Sequence, residues 1–149
     1  MSHSPLLEVN QLNAWYDRSH VVQDVSFKVY PSEIVTLMGR NGAGKTTTLR
    51  SIMGLIARCK GEVRFEGQSI LGQPAHTRFH AGLAYVPEDR RIVPSLTVRE
   101  NLLLGMYARK GKIEADARID AIAEIFPRLK ERLDQEGTSM SGGEQQMLA

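Results

Sequence analysis

The sequence predicts an α/β fold into which an all-helical part is inserted. Three patterns support this prediction. Short segments near the N-terminus alternate apolar and polar residues, a glycine-rich loop joins an apolar run to a helical pattern, and helical periodicity dominates after residue 88. We therefore expect a mixed α/β core with an antiparallel β part over residues 1–87, a helical subdomain over 88–140 and the start of another helix over 141–149.

The β part is expected to contain two kinds of strand. Apolar residues that alternate with polar ones predict strands with one face in solvent, at Leu7 and Val9, at Val25 to Val29, and at Val63 and Phe65. Two continuous apolar runs, Ile34–Met38 and Leu83–Val86, instead predict strands buried on both faces. The stretch from Arg58 to Gly61 predicts a turn.

Helical spacing predicts the remaining elements in order. The first helix presents Leu49, Ile52, Met53 and Ile56 on one face, and residues 76–81 predict a short helix. Thr97 and Glu100 have the spacing of a capping box, which predicts a helix from Val98 to about Ala108 that Gly111 breaks. A second amphipathic helix ends at or near Pro127, and a short helix over 128–133 follows.

Composition limits the classes of function. The chain has 149 residues, 42% of them hydrophobic and 24% charged, as in an ordinary globular domain. A net charge of +2 is too small to indicate a nucleic acid partner. Cys59 is the one cysteine, which excludes a disulfide framework within the chain. The apolar run at Leu102–Ala108 is too short to cross a bilayer, so a membrane role would need a partner.

The run from Gly39 to Thr46 fits the phosphate-binding pattern G-x-x-x-x-G-K-[ST]. Glycines let consecutive amide N–H groups face inward and form an anion site, and the helix that follows adds the positive end of its dipole. Lys45 can reach the β- and γ-phosphates, and the Thr46 hydroxyl can hold Mg²⁺. A predicted strand before the loop and a predicted helix after it favour nucleotide binding over an ordinary glycine turn.

A second motif, Ser141-Gly142-Gly143-Glu144-Gln145, also predicts an anion site. Ser141 and Glu144 have capping-box spacing, and the two glycines leave the N–H groups of the first turn unshielded. Taken alone, the motif is more typical of a simple helix cap. Downstream of a phosphate-binding loop, contact with a phosphate becomes the favoured interpretation.

The two motifs together resemble the ATPase subunit of an ABC transporter, and the resemblance covers the whole chain. The S-G-G-x-Q run is similar to the signature of that family, with Met140 where leucine is usual. The stretches Tyr85–Arg91 and Pro94–Leu102 are most similar to the smaller ATPase of high-affinity branched-chain amino acid importers. The ATPases of urea and short-chain amide importers remain alternatives.

The resemblance implies a role for each matching residue. Tyr16 would stack on adenine, and ATP phosphates would be held by Gly39, Asn41, Gly42, Ala43, Gly44, Lys45, Thr46 and Thr47. Ser141, Gly142 and Gly143 would face the γ-phosphate of ATP held by a second subunit. Thr46 and Glu88 are the candidate Mg²⁺ ligands; the family usually has glutamine where Glu88 stands, which leads us to expect a stronger dependence on Mg²⁺.

The resemblance also implies partners, a location and missing parts. We expect a second ATPase subunit, identical or paralogous, membrane-integral permease subunits, and a periplasmic solute-binding protein that acts indirectly, all at the cytoplasmic face of the cell membrane. The Mg²⁺-linked Asp, the catalytic Glu and the switch His of the family have no counterpart before Ala149. We therefore expect a truncated, inactive form of a longer subunit, with no catalytic residue of its own.

Three other classes of protein share some of these features. A phosphate-loop kinase or GTPase should carry an acceptor or guanine motif, and N-K-x-D does not occur. A chromosomal ABC protein would need a long insert between the two motifs, for which the chain has no room. A non-catalytic nucleotide-binding module remains an alternative for the chain as it stands.

Overall fold

The structure is a computed structural model that describes residues 4–89, 92–106 and 115–149 of the chain. The chain consists of two compact units, and the boundary between them lies between Tyr85 and Val86. The first unit contains one antiparallel sheet in the order β2-β1-β3-β4. Its strands are β1 (Leu7–Tyr16), β2 (Ser19–Val29), β3 (Arg58–Phe65) and β4 (Gln68–Ser69).

β1 lies between β2 and β3 and pairs with both of them. Leu7 lies opposite Val29 on β2 and opposite Phe65 on β3. In β1 the buried residues are Val9, Leu12 and Ala14, and the alternation is interrupted between Val9 and Leu12, where the register shifts. The core of this unit consists of Val9, Leu12, Ala14, Val22, Ile52, Ile56, Val63 and Ile70.

Two helices complete the first unit. α1 (Lys45–Ile52) contributes Ile52 to the core, and α2 (Ala75–His80) matches the short helix predicted over 76–81. α1 is shorter than the apolar spacing predicted. Met53 and Ile56 are nevertheless buried, because the chain turns at Gly54 and brings Ile56 back to the same core. The predicted turn over Arg58 to Gly61 is wrong in part, since β3 already begins at Arg58.

The second unit is helical. Its helices are α3 (Val98–Met106), α4 (Ala115–Ile125), α5 (Pro127–Lys130) and α6 (Gly142–Leu148), with a 3-10 turn at Gly137–Ser139. Val98, Leu129, Met140 and Leu148 form its buried core. The predicted capping box of α3 is confirmed: the Thr97 N–H donates to Glu100 Oε2 at 2.8 Å, and the Glu100 N–H donates to Thr97 Oγ1 at 3.2 Å. The predicted end of α3 near Ala108 and the break at Gly111 lie outside the described residues.

The two predicted buried strands are wrong. Ile34–Met38 and Leu83–Val86 have no strand structure, and Ile34 and Met38 are 94% and 89% exposed. A strand exists only through hydrogen bonds to a neighbour, and within the described part of the chain no element pairs with either run. The apolar composition of these two runs favours a buried strand, but a strand forms only where a neighbouring strand can pair with it.

Candidate nucleotide site

The phosphate loop runs from Gly39 to Thr46, so that it includes the first two residues of α1. Gly44 occupies the N-cap of α1 with φ of +86°, and Gly42 has φ of +85°. Both values lie in the left-handed region that glycine adopts without strain. A Cβ at Gly44 would lie 3.0 Å from the carbonyl oxygen of Val21, so the loop packs directly on the backbone of β2. Glycine at position 44 is required both by conformation and by space.

The ammonium of Lys45 lies across this loop. Its Nζ donates to the carbonyl oxygens of Gly39 at 2.7 Å and Arg40 at 2.9 Å. An ammonium has three donors, so one remains for an anion that enters the loop. The loop carbonyls of Gly39 and Arg40 therefore hold the side chain against the loop.

The N-terminus of α1 offers free amide donors. Gly44 supplies no side chain to cap the helix, and the first intrahelical acceptor is its carbonyl, which accepts from the Thr48 N–H at 2.8 Å. Amides of the preceding turn have no carbonyl further back in the helix. The Ala43 N–H donates to the Arg40 carbonyl at 3.1 Å and is thus committed to the loop itself. The amides that follow Ala43 lie at the positive end of the helix dipole, where an anion would be stabilised.

The two threonines of the loop differ in exposure. Thr46 is exposed and its hydroxyl can reach a cation bound to a phosphate, whereas Thr47 is buried beneath the loop. The Thr47 carbonyl accepts from the Ser51 hydroxyl at 2.7 Å, which ties it into the packed face of α1. Asn41 lies in the exposed turn at the tip of the loop. Of the two hydroxyls, that of Thr46 has the accessible position.

Tyr16 and its neighbour Trp15 have different surroundings at the end of β1. The Trp15 ring stacks on His20 with 4.3 Å between ring centroids, and the Arg58 guanidinium lies 5.0 Å from its centroid. The Trp15 ring is therefore already in contact with His20 and Arg58. Tyr16 is 43% exposed at the end of the same strand. Tyr16 is the ring with a free surface for stacking.

The predicted cap of the second motif is confirmed. Ser141 is the N-cap of α6; its N–H donates to Glu144 Oε2 at 2.8 Å, and the Glu144 N–H donates to Ser141 Oγ at 3.4 Å. The Ser141 hydroxyl accepts in this bond, and the Glu144 carboxylate is its neighbour in the closed cap. Ser141 and Gly143 are exposed, and a Cβ at Gly143 would meet no atom within 4 Å. Gly142 lies between them, partly buried.

Glu144 is held from two sides. Besides the Ser141 amide, its Oε1 contacts Arg132 Nε at 3.2 Å. The hydrogen bonds from the Ser141 backbone and hydroxyl, and the charges of Arg132 and Arg128, lower the pKa of the Glu144 carboxyl. The carboxylate therefore stays ionised and keeps the cap closed.

The two candidate Mg²⁺ ligands belong to different units of the chain. Glu88 lies in an exposed turn of the second unit, and Thr46 lies in the first. In the described ranges, no three histidine, cysteine or acidic side chains are grouped to hold a metal ion. A magnesium ion at Thr46 would depend on the phosphate oxygens of its nucleotide for ligands, as is usual for Mg²⁺.

Two residues near these motifs were not predicted from the sequence. Arg78 donates to backbone carbonyls at the end of α1, and Arg132 pairs with Glu144. Neither arginine belongs to a motif or stands at helical spacing from its partner. Their contacts join residues that are far apart in the chain or on separate elements, and sequence spacing carries no signal for such contacts.

The fold and the two motifs define a class of protein: the chain belongs to the ABC transporter family, whose model matches residues 22–149. The matched range includes both the phosphate loop and the Ser141 turn. Among the described residues, no helix has the length and apolar character that a bilayer crossing requires.

Several relatives of the chain are ATP-binding proteins of transporters. The chain is 42% identical to the high-affinity branched-chain amino acid transport ATP-binding protein BraG of Pseudomonas aeruginosa, and 39% identical to the probable branched-chain amino acid transport ATP-binding protein LivF of Archaeoglobus fulgidus. In both cases the match covers 97% of this chain and 61% of the relative. It is also 36% identical to the lipopolysaccharide export system ATP-binding protein LptB of Haemophilus influenzae, over 96% of this chain and 60% of that protein. The chain thus spans about three fifths of the length of these relatives.

Solved structures give the same class. The chain matches the ATP-binding subunit of an ABC transporter with a TM-score of 0.81 and 36% identity, covering 96% of this chain and 59% of that one. A nucleotide-free ATP-binding cassette matches with a TM-score of 0.74 at 23% identity, over 95% of this chain and 61% of that chain, and shows the fold alone.

Proposed function

We propose that this chain forms the nucleotide-binding part of an ATPase subunit that drives a solute importer. The observation that carries the proposal is the Lys45 ammonium, held by two loop carbonyls beside the uncapped N-terminus of α1. This arrangement offers a positive side chain, amide donors and a helix dipole to a triphosphate at one place. Membership in the ABC transporter family supports ATP as the nucleotide and Mg²⁺ as its counterion.

The two motifs would serve different nucleotides. Gly39, Asn41, Gly42, Ala43, Gly44, Lys45, Thr46 and Thr47 form the loop that would surround the phosphates of one ATP, while Tyr16 would stack on its base. Ser141, Gly142 and Gly143 would meet the γ-phosphate of the ATP held by a second subunit. Each half-site offers few contacts, so the charge of ATP would be needed to bring the two subunits together. Thr46 and Glu88 would complete the coordination of Mg²⁺.

Hydrolysis would belong to the complete protein. The residues assigned to the two motifs would bind and orient the phosphates and balance their charge. Preorganised donors at the phosphates stabilise the charge of the transition state, which is the main contribution that these residues can make. By itself, the chain is expected to bind nucleotide without turning it over.

Branched-chain amino acids are the proposed solute class. The support is the identity of 42% and 39% to BraG and LivF, whose names give that transport. Lipopolysaccharide export is a second candidate, supported by the 36% identity to LptB. Import of urea or short-chain amides remains a further alternative from the Tyr85–Leu102 stretch. For the import candidates the partners would be a second ATPase subunit and permease subunits in the cell membrane, and a solute-binding protein would act indirectly.

The ATPase proposal is tested in the complete protein with its permease partners. Lys45→Ala and Ser141→Ala should each reduce ATP hydrolysis at least about a hundredfold, because each removes a donor from the transferred phosphate. Lys60→Ala and Ser95→Ala are matched controls, since both residues are exposed and outside the two motifs. ATPase activity of Lys45→Ala equal to that of Lys60→Ala would refute the proposal.

The solute is identified in cells that lack the gene. Uptake of labelled leucine should fall in the deletion strain, recover with the wild-type gene and stay low with Lys45→Ala. Normal leucine uptake would contradict the branched-chain assignment. A defect in lipopolysaccharide export or in urea uptake would then identify the corresponding alternative as the function.

A further inference from the structure

Arg78 on α2 is buried against the end of the phosphate-loop helix. Its residue exposure is 2%. Nη1 donates to the carbonyl oxygens of Ser51 at 3.0 Å and Ile52 at 2.6 Å, and Nε donates to the carbonyl oxygen of Gln73 at 3.0 Å. The Ser51 carbonyl also accepts from the Gly54 N–H at 3.0 Å. The guanidinium therefore adds charged donors to the carbonyls at the end of α1, where intrahelical donors run out.

The charge of Arg78 is balanced by this helix end. Burial lowers the pKa of the guanidinium, yet arginine remains charged at physiological pH. In the described part of the chain, no carboxylate forms an ion pair with it, and its hydrogen bonds all go to backbone carbonyls. The carbonyl end of a helix carries negative partial charge and is a favourable place for a cation.

Hydrogen bonds connect this end of α1 to the phosphate loop. The Ser51 hydroxyl donates to the Thr47 carbonyl at 2.7 Å, and the Thr48 hydroxyl donates to the Gly44 carbonyl at 2.9 Å. α1 has eight residues, about two turns, and a helix of that length is not stable without outside contacts. The position of its first turn therefore depends on what holds its last turn.

From this geometry we propose that Arg78 is a positioning residue of the nucleotide site: by fixing the C-terminal end of α1, it orients the amides at the N-terminal end toward the phosphates. The proposal rests on the proposed nucleotide function. Arg78 does not touch the nucleotide, and it acts through the backbone of Ser51 and Ile52.

Gly54 gives a second way to disturb the same contact. It has φ of +74°, and a Cβ there would lie 2.9 Å from both Cζ and Nε of Arg78. The same Cβ would lie 3.0 Å from the Gln73 carbonyl oxygen, which accepts from Arg78 Nε. Gly54→Ala would therefore disturb the guanidinium together with one of its acceptors, without changing the arginine itself. The contact between Arg78 and the end of α1 can therefore be disturbed by a substitution at Arg78 or by one at Gly54.

The test uses the complete protein and measures the Kd for Mg²⁺-ATP at a temperature where every variant is folded. Arg78→Met removes the donors at similar length, and it should weaken ATP binding about tenfold, the effect expected when charged hydrogen bonds that hold a site are lost. Arg78→Lys keeps the charge and should bind ATP more tightly than Arg78→Met. Arg50→Met is the control, because it removes a positive charge from the last turn of the same helix.

A second measurement separates this proposal from the nucleotide proposal. Amide hydrogen exchange at residues 45–48, without nucleotide, should be faster in Arg78→Met and Gly54→Ala than in Arg50→Met. If wild type binds no ATP but exchange changes as expected, the nucleotide function is wrong and the positioning of α1 stands. Unchanged exchange together with ATP binding within twofold of wild type would overturn the proposal. If Arg78→Met does not fold, Arg78→Lys and Gly54→Ala decide by the same two measurements.

Discussion

Alanine substitution at Gly42 and Gly44 separates the cost of backbone conformation from the cost of packing in the phosphate loop. The two glycines have nearly equal φ values, +85° and +86°. They differ in their surroundings: a Cβ at Gly42 meets nothing within 4 Å, whereas one at Gly44 lies 3.0 Å from the Val21 carbonyl oxygen. The pair is therefore matched in conformation and unmatched in space.

The expected magnitudes follow from these two terms. A left-handed conformation costs an L-residue about 1–2 kcal/mol, and this is the full expected loss for Gly42→Ala. Gly44→Ala has the same conformational cost, and it also forces the loop away from β2, which adds about 1–3 kcal/mol, as overpacking usually does. Gly44→Ala should consequently be the more destabilising of the two by about 1–3 kcal/mol.

Urea unfolding of the complete protein, followed by circular dichroism, measures both losses by linear extrapolation. The m-values should stay unchanged, so the difference will appear as a lower midpoint for Gly44→Ala. Equal midpoints for the two variants would refute the inference that the loop packs on the β2 backbone at Gly44.

Three further predictions concern the second unit. Leu129→Ala should lower the free energy of unfolding by about 2–5 kcal/mol, because Leu129 is fully buried, while Leu104→Ala on an exposed site should cost less than about 1 kcal/mol; equal losses in denaturant unfolding would contradict the assigned core. The pKa of Glu144 is lowered in the folded state, so its stabilisation is present above the ordinary value of 4.5 and is lost as pH falls through the lowered pKa. Glu144→Gln should therefore show a smaller loss of unfolding midpoint between about pH 6 and pH 3 than wild type, and parallel acid curves would exclude this role. Glu88→Gln should make ATP affinity less dependent on Mg²⁺, because an amide binds the ion less strongly and repels the γ-phosphate less in its absence. ATP titrations with and without Mg²⁺ measure this, and an identical Mg²⁺ dependence in both forms counts against Glu88 as a ligand.

Local patterns predicted the elements that local forces determine. Alternation at Val25 to Val29 predicted a strand of the antiparallel sheet, because each side of that sheet faces one environment. The capping boxes at Thr97 and Ser141 were predicted from residues three apart, since the bonds that they form are equally short in range. The phosphate loop was also predicted, because the motif itself fixes glycine at position 44, where φ is positive.

The failures have one physical cause. Ile34–Met38 and Leu83–Val86 have the composition of buried strands, but a strand needs a neighbour, and the described residues provide none. Arg78 and the pairing of Arg132 with Glu144 are tertiary contacts between distant residues. Sequence patterns reflect interactions between residues that are close along the chain. The missing strand pairing and the arginine contacts depend on residues that are close only in space.

The most direct measurement of triphosphate binding in the loop is a titration of the complete protein with Mg²⁺-ATP, followed by amide chemical shifts. Binding should move the resonances of Gly42, Gly44, Lys45 and Thr46 first, and Lys45→Ala should abolish these shifts while leaving the spectrum of a folded protein. Saturable ATP binding that leaves these four amides unperturbed, or that persists in Lys45→Ala, would contradict the assignment of the nucleotide to this loop.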